Sequence, residues 1–379
     1  MGYANADYVP ATDRIISLPH AGNDKHRVGM VVCEAFWHDG SLHEVGPRTV
    51  ARKQIEKLDS LGYKIYSGFE TEFFVVDSKS KQPLFDGVDF AVDQILAANS
   101  SWMFDLEQGL RKTGIDVGAL HSEYGPGQFE LCMAPAWNMK TADDMYIFKG
   151  ACKEILAKHG RQASFMTKPF AKKHMGSSGF HFNHSLWEKN TGKCAFYDVN
   201  KANKMSDVMR YWVGGIMKHL VSLLAICSPT PNCYRRLHNP WAPDRIDWGI
   251  DHRMTAIRVK AYNEKCCLVE NRLPSAACNP YLVVAATIAA GLDGLENKIE
   301  PPASGQRETN AELPSDLATC LDDLDSNVAL RQRLGSQFVD WFLTCKRENE
   351  LSQFPVVTRE GDQMSEEIEK EFEEYFAYI

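Results

Sequence analysis

The chain of 379 residues has no block of basic residues, no long apolar run and no CxxC pair. Its net charge of −8 lacks the electrostatic footprint that nucleic-acid binding requires. The longest apolar runs, YLVVAATIAAGL (281–292) and HLVSLLAIC (219–227), are too short to cross a bilayer. The opening MGYANADYVPATDR carries neither a charged leader nor an apolar core. Position 6 is Ala where a myristoylation signal wants Ser or Thr. The eleven cysteines are odd in number and lie mostly in apolar surroundings, such as Cys33 in VVCEAF and Cys227 in LLAICS. These absences point to a cytoplasmic protein with reduced thiols, no nucleic-acid partner and no membrane partner. Repeats and low-complexity linkers are missing as well.

What is present is a globular composition, 44% hydrophobic and 24% charged, in a length that suits one large domain or two ordinary ones. MVVCEAFW (30–37) reads as a strand. TVARKQIEKLDSLG (49–62) has helical spacing and a glycine stop. Helical patterns recur over 94–114, 142–160 and 206–227, and Asn279-Pro280 opens another helix as N-cap and first residue. Strands are predicted at SGFHFNHSLW (178–187), LVENRLP (268–274) and on both sides of the Gly-Pro-Gly turn in VGALHSEYGPGQFELCM (117–133). The tail from about 314 onward reads as charged helices. Strands and helices mix without βαβ regularity, which favours an α+β fold.

GFETEFF (68–74) has the aromatic and β-branched character of a half-buried strand, yet it carries Glu70 and Glu72. The period of two puts both on one face, with Cα atoms roughly 7 Å apart. Other sites repeat the pattern. Glu123 and Glu130 flank YGPGQF, so a tight turn brings them together. His181 points opposite to Phe180 and Phe182, and Glu270 shares its face with Arg272. A lone strand glutamate is ordinarily structural, in a wet sheet face or a buried salt bridge. Five carboxylates and an imidazole together are costly to bury without a shared cation. Hard ligands of this kind suit Mg²⁺ or Mn²⁺, and magnesium sites are usually completed by substrate phosphates. A nucleotide is therefore the implied partner. Arg236, Arg253, Arg258 and Arg272 supply forked donors for carboxylate and phosphate. Arg253 and Arg258 are five apart and fall on opposite faces of an unbroken strand, so both serve one site only if the chain bends or they act at its rim.

In this order, GFETEFF, HSEYGPGQFE, FMTKPF with GSSGFHFNHSLW, NCYRRL, DHRMTAIRV and VENRLPSAACNPYLVVAATIAAGLDGL resemble the glutamine synthetase family, and most closely its lengsin-like branch. The match runs from about residue 25 to 300. The resemblance implies one catalytic-type domain over 1–379, with a lead-in at 1–25 and a helical part at 301–379. Antiparallel strands would form a tapered metal channel with helices outside. It implies two divalent ions, one held by Glu72, Glu123 and Glu130, the other by Glu70, His181 and Glu270. Arg236 and Arg272 would grip glutamate. Arg253, Arg258 and Ser185 would face ATP, with Arg253 and Glu123 in catalytic roles. The family's chemistry is ATP-dependent synthesis of glutamine through γ-glutamyl phosphate, in homo-oligomers that form rings.

The sequence also departs from the family. The small N-terminal β-grasp domain is expected to be absent. RLHNPWAP (236–243) is one residue shorter than the family loop and has Trp241 where a glutamate precedes Ala-Pro; Asp244 is the nearest acid. GSSG (176–179) lacks the family's asparagine, His-x-His reads His181-Phe182-Asn183, and Leu268 stands in place of a nucleotide-contacting arginine. The ligand set is complete while the amine side is altered. Three readings follow: a synthetase with a rebuilt ammonia site, a ligase joining glutamate to a larger amine, or a lengsin-like assembly protein without catalysis.

Overall fold

The computed structural model describes residues 5–12, 14–23, 25–86, 90–171, 176–239, 241–305, 310–355, 357–358 and 361–379. Two small sheets lead the chain, one pairing β1 (Ala6–Pro10) with β4 (Cys33–Trp37), the other β2 (Ile16–Ser17) with β3 (Gly29–Met30). The strand predicted over 30–37 is thus divided, because Met30 pairs with Ile16 while Cys33 onward pairs with β1. Then follow α1 (Pro47–Ser60), β5 (Tyr63–Asp77), α2 (Asp93–Thr113), β6 (Val117–Ser122), β7 (Gln128–Met133), β8 (Ala136–Trp137), α3 (Lys140–Lys158), β9 (Arg161–Ser164) and β10 (Phe180–Glu188). After them come α4 (Asp207–Lys218), α5 (Leu220–Cys227), α6 (Pro231–Tyr234), β11 (Trp248–Ile250), β12 (Ile257–Ala261), β13 (Cys267–Asn271) and α7 (Pro280–Asn297). The described tail holds α8 (Leu317–Ser326), α9 (Val328–Leu334), α10 (Ser336–Cys345) and α11 (Gly361–Tyr375).

The central sheet runs β11-β12-β13-β10-β5-β7-β6, with β8 and β9 also on β5. All of its pairs are antiparallel except β11 with β12. This is the α+β architecture that the mixed strand and helix pattern predicts. The period of two divides the sheet chemically. Phe69, Phe73, Phe129, Phe180 and Phe182 are fully buried on the helix side, where Phe69 lies 4.5 Å from Phe180 and 4.8 Å from Phe182 between ring centroids. Glu70, Glu72, Glu130 and Asn183 alternate with them and are half-buried on the opposite face. The apolar helix α7, capped by Asn279 Oδ1 on the amides of Tyr281 and Leu282, lies in the core behind the sheet.

Local chemistry sets the boundaries. α2 ends where Gly114 takes a left-handed φ of 83°. The 206–227 helix divides at His219, whose ring is buried between Asp293 Oδ2 at 2.8 Å and Asn327 Nδ2 at 2.9 Å. β13 stops at Asn271, whose side-chain oxygen accepts from the Leu273 amide, and Pro274 follows. α11 is tied to the chain just after α6 by Arg235, which donates to Glu371 at 3.0 Å and to Glu367 at 2.7 Å. Its sequence neighbour Arg236 lies on the polar side of the sheet. All eleven cysteines are free.

Because Phe69 backs the polar face directly, Phe69→Ala is expected to lower unfolding free energy by about 3–5 kcal/mol in urea titrations. A loss under about 1 kcal/mol would show that these rings do not support the sheet.

Candidate metal and nucleotide site

Strand register brings the polar residues into three adjacent rows. Glu70 stands opposite His181 on one side and Cys132 on the other. Glu72 stands opposite Glu130, which in turn faces His121. Asn183 stands opposite Glu270, which faces Arg258. The Gly-Pro-Gly turn closes the β6–β7 hairpin, with the Glu123 amide donating to Gln128 O at 2.8 Å. Gly127 has φ +65° there, and a Cβ would meet Val75 O at 2.6 Å, so only glycine fits. Gly179 lies inside the site, where a Cβ would come within 2.9 Å of Arg236 Nη2 and 3.3 Å of Glu72 Oε1.

Glu70, His181 and Glu270 form one group, with donor atoms all within 4.8 Å of one another. His181 Nδ1 is 3.5 Å from Glu70 Oε2 and 3.7 Å from Glu270 Oε1. Burial, with the Arg272 charge nearby, pushes the His181 pKa down and keeps the ring a neutral ligand. Burial alone would raise Glu270. His181, Arg272 and Lys260 overcome it and hold its pKa at about 2. Arg272 Nη1 donates to it at 2.5 Å, Lys260 Nζ lies at 3.0 Å and Arg258 Nη1 at 3.2 Å.

Glu72, Glu123 and Glu130 are near enough to repel one another but, unlike the first three, are not gathered with all donor atoms within 4.8 Å; their electrostatics are the opposite. Glu72 Oε2 accepts from Gln128 Nε2 at 2.9 Å and from the Gly179 amide at 3.0 Å. Burial pushes Glu123 up to about 8, with Glu72 and Glu130 adding repulsion. Burial and Glu72 push Glu130 up to about 7. Burial and mutual repulsion thus favour the protonated forms of Glu123 and Glu130. A hard divalent cation removes the repulsion, so the donor set fits one. Among the described residues, two buried atoms on the other flank have no hydrogen-bond partner: Asn183 Oδ1, an acceptor beside Glu70, and Arg272 Nε, a donor. An orphaned acceptor among carboxylates fits a cation, and an orphaned guanidinium donor fits an anion.

The arginines divide. Arg236 is buried, donates to Arg272 O at 3.1 Å and to Leu273 O at 3.3 Å, and lies 3.4 Å from His181 Nε2. Arg258 reaches Glu270 and Asp251 together. Arg253 is exposed in the turn 251–256, outside this hydrogen-bonded network. The chain bends before β12, so the five-residue spacing to Arg258 does not lie in one strand. Ser185 shares the face of His181 and Asn183; its hydroxyl accepts from Trp187 Nε1 at 3.0 Å. Sequence reasoning passed over three residues. Lys260 lies two positions beyond Arg258 and so shares its face. His121 Nε2 is 3.8 Å from Glu130 Oε1, and Cys132 Sγ donates to the same oxygen at 3.0 Å. The alternation of His121 with Glu123, and of Glu130 with Cys132, was the available signal.

Above this site lies an aromatic rim. Tyr124 is stacked on Phe90 at 5.2 Å and parallel to Trp241 at 6.4 Å. Its amide donates to Glu123 Oε2 at 3.1 Å, and Arg272 Nη2 donates to Trp241 O at 3.2 Å. Trp241 is 63% exposed at φ +71°, an uncommon backbone for a bulky residue.

The site is thus an open, mostly antiparallel sheet with a carboxylate-lined face and arginines at one flank. Residues 44–364 match the family described as glutamine synthetase, catalytic domain, and the chain belongs to that family. It is 34% identical over 351 residues to the glutamine synthetase of Thermotoga maritima, covering 88% of this chain and 79% of the relative. It is 30% identical over 345 residues to human lengsin, covering 86% of this chain and 65% of that protein. The solved GmaS/ADP complex superposes with a TM-score of 0.83 at 25% identity, covering 93% of this chain and 83% of that one. Among the described residues no helix is long and apolar enough to cross a membrane.

The raised pKa values of Glu123 and Glu130 give a pH dependence of definite sign. The folded state holds protons that the unfolded chain has released, so their stabilising contribution is lost as pH rises from about 5 to about 8. In EDTA, the thermal midpoint is expected to fall across that window, and saturating Mn²⁺ is expected to restore more stability at the upper end than at the lower. A midpoint in EDTA that stays level or rises across the window contradicts this assignment.

Proposed function

We propose that the protein is a glutamine-synthetase-type ligase that uses ATP to join ammonia or another amine to the side-chain carboxylate of glutamate. The observation that carries this reading is the gathering of Glu70, His181 and Glu270 within ligand reach, flanked by Arg236, Arg258 and Arg272. Mg²⁺ or Mn²⁺ held by Glu70, His181 and Glu270 and by Glu72, Glu123 and Glu130 would, when bound, neutralise phosphate charge. The chain's own residues supply binding, orientation and proton handling. Arg236 and Arg272, both buried, offer donors for glutamate's carboxylate. Arg258, with Lys260 beside it and Arg253 at the rim, favours phosphoryl oxygens, and Ser185 belongs to the nucleotide side. Glutamate's side-chain oxygen forms a bond to the γ-phosphorus as the bond to ADP breaks. The amine nitrogen then attacks the acyl carbon, phosphate leaves, and Glu123 takes the amine's proton. The ADP bound by GmaS, a structural relative, supports the nucleotide assignment.

The aromatic rim favours an acceptor larger than ammonia. Trp241, Tyr124 and Phe90 offer an apolar wall beside the acidic Glu123, which suits an ammonium group carrying an apolar substituent. Trp241 also stands where the family places a loop glutamate. That loss, with the 30% identity to human lengsin, supports the alternative of a lengsin-like assembly that keeps the fold without the reaction. On either reading residues 1–379 act as one domain in a cytoplasmic, ring-forming homo-oligomer.

Calorimetry with Mn²⁺ and a non-hydrolysable ATP analogue separates the two. Binding is expected in the parent and lost in the folded Glu130→Gln/Glu270→Gln variant; absence of binding in the parent sinks the ligase. Given binding, γ-glutamyl transfer to hydroxylamine and alkyl amines is expected to outrun transfer to ammonia. Glutamine formation as fast as the best amine reaction overturns the acceptor preference.

A further inference from the structure

His121, Glu130 and Cys132 lie together at cross-strand positions of β6 and β7, with one donor atom from each within 4.8 Å of the other two. All three are half-buried, so they open toward the polar face instead of the core. His121 Nε2 lies 3.8 Å from Glu130 Oε1, and Cys132 Sγ lies 3.0 Å from the same atom. Tetrahedral zinc with ordinary bond lengths separates such ligands by about 3.4–3.6 Å. The observed spacings bracket that range, so small rotamer adjustments close the shell. An imidazole, a carboxylate and a thiol with a fourth position left for water form a mixed nitrogen, oxygen and sulfur set. Thiolate and imidazole select zinc-like ions, whereas Mg²⁺ prefers oxygen alone. Glu70 and Glu123 stand beside Cys132 and add negative potential.

We propose that His121, Glu130 and Cys132 form a binding site for a thiophilic divalent cation of the Zn²⁺ type, and that its occupancy withdraws Glu130 from the Glu72–Glu123–Glu130 group. Binding forms a sulfur–metal bond, and the Cys132 thiol proton leaves to solvent. Hard and soft ions then compete for one carboxylate, and the identity of the bound metal decides which of two neighbouring shells is complete. The site stands on its own residues and does not require the ligase reading.

Metal-stripped protein, titrated with Co²⁺ without oxygen, tests the site directly. One equivalent per chain is expected to produce the sulfur-to-cobalt charge-transfer absorption, and Zn²⁺ is expected to abolish it. The absorption is expected to vanish in Cys132→Ser, to need about tenfold more Co²⁺ in His121→Gln, and to persist in Cys33→Ser, Cys266→Ser and Cys345→Ser. Should Cys132→Ser misfold, alkylation of Cys132 in the folded parent, located by mass spectrometry, replaces it; protection by Zn²⁺ is expected. No charge-transfer absorption in the parent, its survival in Cys132→Ser, or alkylation unaffected by Zn²⁺ overturns the site. Competition is read by Mn²⁺ spin resonance: one equivalent of Zn²⁺ is expected to release Mn²⁺ from the parent and not from Cys132→Ser. Equal release from both overturns the competition.

Discussion

The mutual repulsion of carboxylates on one sheet face is the constraint on which the rest of the structure depends. A single strand, β5, puts Glu70 and Glu72 side by side, and the hairpin β6–β7 adds Glu123 and Glu130. Such a face is tolerable only if the opposite face repays it. Phe69, Phe73, Phe129, Phe180 and Phe182 do so as one aromatic layer against the helices. The strands therefore hold the acids at a spacing set by their register, the kind of preorganisation a polyvalent ligand needs.

The protein answers the repulsion differently at its two flanks. Around Glu270 it brings in cations: Arg258, Lys260 and Arg272 converge on one buried carboxylate and keep it ionised. Around Glu123 and Glu130, among the described residues, no lysine or arginine pairs with either carboxyl, and burial with mutual repulsion favours their protonated forms. His121 and Cys132 are the neighbours there, neither of them a fixed charge. The first flank is rigid in charge. The second changes charge with pH and with whatever cation arrives.

Much of this was legible in the sequence because it rests on the period of two. GFETEFF, FHFNH and VENR each state the face and the neighbour of every polar residue, and the turn in YGPGQF states that Glu123 and Glu130 meet. What depends on pairing between strands was hidden. His121 is one of twelve histidines until β6 is seen opposite β7, and Lys260 is an ordinary surface lysine until β12 is seen beside β13. Loop geometry was hidden too. Arg253 and Arg258 looked like a conflict of strand parity, which the bend ahead of Ile257 removes. The aromatic rim joins Phe90, Tyr124 and Trp241 across more than a hundred residues, and no local pattern announces it.

The polarity of the two flanks gives the proposed ligase a direction. A nucleotide's phosphates gain most at the flank where Arg258 and Lys260 are already fixed, since those charges need no reorganisation when the anion arrives. An ammonium group gains most at the opposite flank, where Glu123 accepts from the Tyr124 amide and its carboxyl can exchange a proton for a cation. Glutamate, with an anionic side chain and a site between Arg236 and Arg272, bridges the two. In the proposed ligase the order of groups across the site would then follow from charge alone: phosphate, carboxylate, amine. Reversing it would set phosphate against three acids and ammonium against three cations. The sheet fixes these positions through its aromatic backing, so in the proposed ligase the direction would belong to the fold, while the aromatic rim beside Glu123 would decide which amine is admitted.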